Sequence, residues 1–298
     1  MRKVMSIVAA VTAILALTVT ISCKKEEESA AAETKEKESA SQAAEAGDFE
    51  DGVYFAQEDS FSERTGWKYM VTLEVEDGEI VSAEWNGANV DGGTDKITRS
   101  ESGEYGMVEN GGAQAPWYEQ AAKAEDYLLK TQDPTAIEYS DDEGHTDAIS
   151  GVSIHVIEFF SLAEKALNKG PAGYGMYEDG HYYAEAGEFS ESGWKSTVDL
   201  TVVSGYIVAA NWNALPEEGG EDKKTQSQNG EYGMVENSDA QAPWYEQANR
   251  AEAYLLEVQD PTAVQFDDEG NTDAISGVSI HVNDLFNLAA EALEGAKR

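Results

Sequence analysis

The heptapeptide Asp147-Ala148-Ile149-Ser150-Gly151-Val152-Ser153 recurs at residues 273–279. Each copy sets two hydroxyls around a glycine, just ahead of an apolar periodicity that reads as a helix. Unpaired N–H groups at a helix N-terminus, reinforced by the helix dipole, favour a phosphate. Gly151 and Gly277 would allow close backbone approach. Ser150, Ser153, Ser276 and Ser279 would offer hydroxyls, and Asp147 and Asp273 could orient one of them or bond turn amides. The same residues also describe a Ser-capped helix after an Asx-type turn. Spacing alone favours the capped helix, because such caps are common.

Other residue types narrow the chemistry. His155 and His281 follow two residues after Ser153 and Ser279. That pattern lacks the second Gly of G-x-S-x-G, and i,i+2 side chains on a helix do not face each other, which argues against a Ser–His nucleophile. Each His is expected to cap polar surface or pack at a helix edge. Asp141-Asp142-Glu143-Gly144 and residues 267–270 are acidic, but they depart from the EF-hand spacing and read as solvated turns, with weak divalent-cation binding left open. One Cys in 298 residues excludes a disulfide framework and Cys-rich metal sites, and four His leave little for a His-based cluster. No metal site is expected.

These segments sit in a body written twice. Gly66-Trp67-Lys68 returns as Gly193-Trp194-Lys195, GEYGMVEN at 103–110 returns at 230–237, and AQAPWYEQA at 113–121 returns at 240–248. A long period with two copies means tandem domains rather than a solenoid. The expected units are 49–169 and 174–298, joined at Gly170-Pro171-Ala172-Gly173. Tyr69, Val71, Leu73 and Val75 alternate with Met70, Thr72, Glu74 and Glu76, Asp77-Gly78 follows, and Val81, Ala83 and Trp85 alternate again, a hairpin signature. Val198, Leu200 and Val202, then Ser204-Gly205, repeat it. Residues 52–56 and 180–184 read as short leading strands. A helix after Pro116 would place Trp117, Ala121, Ala124 and Leu128 on one face. A last helix is expected from about Ser153, with Val156, Phe160, Ala163 and Leu167 on one face. The expected class is therefore α+β: two tandem repeats, each an antiparallel sheet with packed helices.

The first residues read as an address. Arg2 and Lys3 precede an apolar run at 4–21, then Ser22 and Cys23. Thr20-Ile21-Ser22-Cys23 resembles a bacterial lipobox, which implies a lipoprotein signal over 1–22 and acylation of Cys23. The other reading is an uncleaved membrane anchor. Both place the body outside the cytoplasm on a membrane. Residues 23–48 are built mainly of Glu, Lys, Ala and Ser and read as a disordered charged tether. A formal charge of −38 argues against nucleic-acid binding, which needs clustered Lys and Arg.

The heptapeptide resembles the attachment motif of FMN-binding domains, Asp-x-x-Ser/Thr-Gly-Ala-Thr/Ser, as found in the C subunit of sodium-translocating NADH:quinone reductase and the G subunit of Rnf complexes. Gly-Trp, a Val-rich strand, Asp-Gly-Glu-Ile and a Gln-Asp-Pro helix end are similar to modules of flavinylated surface lipoproteins. Here Val152 and Val278 replace the family's Ala, and Ser replaces its more common Thr. The resemblance implies that Ser153 and Ser279 are joined to FMN phosphate by a flavin transferase, one FMN per module. Asp147, Ser150, Gly151, Asp273, Ser276 and Gly277 match the preceding motif positions. Tyr118, Tyr245 and Tyr105 are candidate flavin contacts, whereas Trp117 and Trp244 fall on the apolar stripe and are expected in the core.

The implied function is a membrane-anchored extracytoplasmic electron-transfer lipoprotein, a carrier more than a stand-alone catalyst. It would take electrons from a membrane donor and pass them to an external acceptor. The competing expectations are a non-redox surface lipoprotein that binds a ligand or partner through flavin-free modules, and a flavin-sensing accessory domain.

Overall fold

The alternation around Asp77-Gly78 becomes a hairpin of β2 (Trp67–Glu76) and β3 (Glu79–Asn89), and β1 (Gly52–Gln57) pairs antiparallel with β2. In this computed structural model, which describes residues 49–238 and 240–298, Asp77 and Gly78 both take positive φ, 53° and 80°. Positive φ at both central residues is the turn geometry whose twist matches paired strands. Ser204 and Gly205, at 52° and 80°, close the second hairpin in the same way. It joins β5 (Trp194–Val203) to β6 (Tyr206–Pro216), and β4 (Gly180–Glu185) lies on the outer side of β5. The signal segment, Cys23 and the tether lie outside the described residues.

Helices cover one face of each sheet. In the first repeat these are α1 (Lys96–Glu101), α2 (Trp117–Thr131) and α3 (Ile157–Lys169). In the second they are α4 (Lys223–Gln228), α5 (Met234–Asn237), α6 (Trp244–Val258) and α7 (Asn283–Ala292), with a 3-10 turn at Pro261–Ala263. The protein is α+β: two three-stranded antiparallel sheets, each packed with helices. Trp117, Ala121, Ala124 and Leu128 form the buried stripe of α2. Full burial of Leu128 stabilises by about 1.5–3 kcal/mol. Gln132 ends α2 in a left-handed conformation, and its side chain clips the helix end to β3 by accepting from the Ile80 amide and donating to the Ile80 carbonyl, at 2.7 and 2.9 Å. Gln259 does the same to Ile207 at 2.8 and 2.9 Å.

Two features differ from the sequence reading. The last helix begins at Ile157, with Val156 as its N-cap, not near Ser153. The Ser153 amide is taken by Gln120 and the Val156 amide by the Gly144 carbonyl, long-range bonds that hold this segment as a loop ahead of the helix, whose start is marked by the Phe160 amide donating to the Val156 carbonyl. The second feature is the far face of each sheet. Met70 and Ala88 from one repeat form a buried cluster with Val203, Val208 and Ala209 from the other. The two sheets therefore share a dry seam between separate helix-covered cores. Phe55 stacks on Tyr206 at 4.5 Å, and Thr72 bonds Ser204 across the same seam. No helix among the described residues is long and apolar enough to cross a membrane.

Candidate functional site

Each repeat carries a cavity at equivalent residues, of about 330 Å³ in the first and about 340 Å³ in the second. Both sizes fall near the lower end of the range of about 300–1,000 Å³ usual for small-molecule sites. In the first repeat Trp67 and Tyr69 from β2, Trp117 from α2, and Tyr105 line the walls. Lys96, the first residue of α1, enters from the side, and Ser153, Ile154 and His155 form one rim. In the second, Trp194, Trp244, Tyr232, Lys223, Ser279, Ile280 and His281 take the same places, with Ser196 where Tyr69 stood.

The strand–helix framework explains how an exposed serine comes to be held at a defined place. Gln120 of α2 is 1 % exposed, and its amide nitrogen donates to the Ala115 carbonyl at 2.9 Å. Its oxygen is thereby aimed at Ser153, accepting from the backbone amide at 2.7 Å and from the hydroxyl at 3.2 Å. Gln247 repeats both bonds to Ser279, at 2.7 and 3.2 Å. Gly151 and Gly277 adopt φ of 76° and 73°, a region costly for residues with a Cβ. A cation sits on each of these glycines: Lys123 Nζ donates to the Gly151 carbonyl at 3.0 Å, and Arg250 to that of Gly277 at 2.6 Å.

Lys96 is fully buried in an aromatic cage. Its ammonium lies 4.1 Å from the ring centres of Trp67 and Tyr105, 5.0 Å from Tyr69 and 5.4 Å from Trp117. It also donates to the Tyr105 hydroxyl at 2.9 Å. Cation–π attraction offsets part of the desolvation cost. Burial still pulls its pKa down to about 7, against the opposing pull of the Glu158 carboxylate. Lys223 lies 4.7 to 5.4 Å from Tyr232, Trp244 and Trp194, and burial lowers its pKa to about 8. Glu158, on the rim of the first cavity, keeps a buried carboxylate oxygen with no partner among the described residues. Its counterpart Asp284 accepts from Ser196 at 2.7 Å. An anionic or carbonyl-bearing planar ligand would meet an aromatic wall, one poised cation and a serine hydroxyl.

Of the residues singled out from sequence, Ser153 and Ser279 line these cavities, as does Tyr105. Tyr118 and Tyr245 do not; their hydroxyls reach Glu119 and Glu246. Asp147, Ser150, Asp273 and Ser276 are exposed on the approach to the turn and line neither cavity. Trp117 and Trp244 are buried in the core, as expected, and also form cavity wall. Val152 and Val278 pack against their own cores and line neither cavity, so their extra bulk stays out of it. Sequence reasoning missed Lys96 and Gln120. A signal existed: Asp95-Lys96 recurs as Asp222-Lys223, and each Asp caps the helix that its Lys begins.

A larger cavity of about 460 Å³ lies at the second repeat's acidic turn, lined by Tyr254, Phe266 and Asp273 among others, and it does not include Ser279. The repeated cavities carry the functional reading because the same constellation occurs twice.

No protein-family model matches the chain, and no curated protein matches it. Two solved structures are similar to part of it. One is a solution NMR structure of a protein from Clostridium thermocellum, 58% identical, covering 41% of this chain and 92% of its own, with a TM-score of 0.34. The other is a crystal structure of a protein from Clostridium perfringens, 23% identical, covering 41% and 89%, with a TM-score of 0.33.

Proposed function

We propose that the protein is an extracytoplasmic lipoprotein, anchored through Cys23, that carries FMN covalently attached at Ser153 and Ser279 by a flavin transferase. The observation that carries this reading is the pairing of each motif serine with an aromatic, lysine-bearing cavity, in both repeats. The residues present fit such a group: a hydroxyl at the rim, flat apolar walls and one cation. When bound, flavin supplies the redox chemistry, and the protein binds, orients and shields it.

Gln120 and Gln247 fix the serine at the rim. Lys96 and Lys223 supply positive charge inside a strongly acidic chain, and an anion beside either would raise its pKa and hold the proton on the amine. Lys123 and Arg250 add charge beside the Ser-Gly turn. The carrier would accept electrons from a membrane donor and deliver them to an external acceptor.

The test is in-gel fluorescence of denatured protein after co-expression with a flavin transferase, with Ser153→Ala and Ser279→Ala as controls. A fluorescent band dimmed by each substitution and abolished by both supports the reading. A colourless wild-type protein contradicts it and leaves a non-redox ligand-binding lipoprotein.

A further inference from the structure

We propose that Glu143, His145 and His155 form a binding site for a divalent first-row transition ion of the zinc class, present in the first repeat only. The ligating atoms of the three side chains all lie within 4.8 Å of one another. The two imidazoles meet edge to face, with centroids 4.4 Å apart. His145 Nδ1 is 2.6 Å from Asp141 Oδ2, which leaves Nε2 as its free nitrogen. A carboxylate behind an imidazole is the arrangement that orients a metal-binding His. The other Asp141 oxygen accepts from the Glu143 and His145 amides at 3.0 and 3.1 Å, which fixes the turn carrying two of the ligands.

His155 Nε2 stands 3.9 Å from Glu143 Oε2, too far for a hydrogen bond. Both can reach a shared ion at ligand distances of about 2.0–2.2 Å after a small movement of the exposed Glu143. Two imidazoles and one carboxylate suit zinc, copper or nickel, whereas calcium and magnesium take oxygen ligands. Both imidazoles are partly exposed, at 30% and 41%, so an ion has access. The expectation from sequence was no metal site, because two of the four His come together only once the chain folds.

The second repeat supplies an internal control. Asp267 holds the same turn by accepting from the Glu269 and Asn271 amides at 2.9 and 2.8 Å. Glu269 and His281 are retained, but Asn271 stands in place of His145. Its carboxamide bonds Asp267 and offers no imidazole nitrogen.

The experiment is calorimetric titration of the full chain with zinc in excess magnesium, paired with the visible spectrum of the cobalt-loaded protein. One ion per chain is expected. His145→Asn, which installs the residue the second repeat already tolerates, should weaken binding at least tenfold. Asp141→Asn should weaken it by about 10–100-fold through loss of the orienting carboxylate. Asn271→His should add a second ion. Far-UV circular dichroism confirms that each variant is folded. Unchanged binding in folded His145→Asn, no zinc binding that survives magnesium, or no second ion in folded Asn271→His would each overturn the proposal.

Discussion

Lys96, which is buried, and Glu125, which is half-buried, are ionisable groups with opposite effects on the pH dependence of stability. Burial holds the Glu125 carboxyl up at about 7, although it accepts from the Trp85 amide at 2.7 Å. The folded chain therefore keeps a proton that an unfolded carboxyl gives up near its usual pKa of about 4.3, so this contribution falls as pH rises from there through 7. Lys96, lowered to about 7, loses a proton in the folded state that the unfolded chain keeps up to about 10.4, so stability rises from pH 7 toward that value. Urea midpoints across pH should show Glu125→Gln flattening the acid arm and Lys96→Met flattening the alkaline arm. In the second repeat Glu252 is paired with Lys224 at 2.7 Å, whereas Ile97 occupies the equivalent of Lys224 in the first. Gln120→Leu leaves the Ser153 amide without its acceptor and should cost about 1–3 kcal/mol by denaturant titration. It should also lower modification at Ser153 and leave Ser279 unaffected, read by peptide mass. Ser153, which lines a cavity, stood out in the sequence through its resemblance to a known attachment motif. Gln120 was not, because a polar residue on an amphipathic helix announces neither its burial nor its partner.

The hairpins and the Trp117 helix were readable because period two, Asp-Gly and a 3.6-residue stripe each act locally. The start of α3 was not. Its apolar spacing continues upstream through Val156, but long-range bonds from the Ser153 amide to Gln120 and from the Val156 amide to the Gly144 carbonyl hold that stretch as a loop, and periodicity does not report such partners. The short helices α1 and α4 were hidden in polar stretches, held there by Asp95 and Asp222 caps. The two hairpin turns separate local strain from tertiary contact. Gly78→Ala should cost about 1–2 kcal/mol for its left-handed backbone alone. Gly205→Ala should cost more, because its Cβ would fall 2.5 Å from the Gly175 carbonyl oxygen, in the segment leading from α3 to β4. Equal losses for both variants in urea unfolding would show that this crossing contributes nothing.

The far face of each sheet defines the described body as one object. Alternation in β2 predicts one buried and one polar face, yet Met70 is fully buried because the second sheet covers it. Sequence periodicity cannot report a partner surface, which is why the seam was not legible. Asn211 and Thr201 reach the Asp91 and Gly93 carbonyls across it, at 3.0 and 2.7 Å. Ala209→Asp would bury an unpaired carboxylate there and should split one calorimetric unfolding transition into two. A single undivided transition in that folded variant would mean that the seam does not couple the repeats. A net charge of −38 makes a dissociable anionic cofactor hard to retain, and the proposed covalent attachment would remove the need for high affinity. The central claim is tested most directly by the intact mass of the protein after co-expression with a flavin transferase. The account predicts two FMN increments, one lost in Ser153→Ala, the other in Ser279→Ala, and none remaining in the double variant. A mass with no flavin increment, or both increments surviving the double substitution, would contradict it.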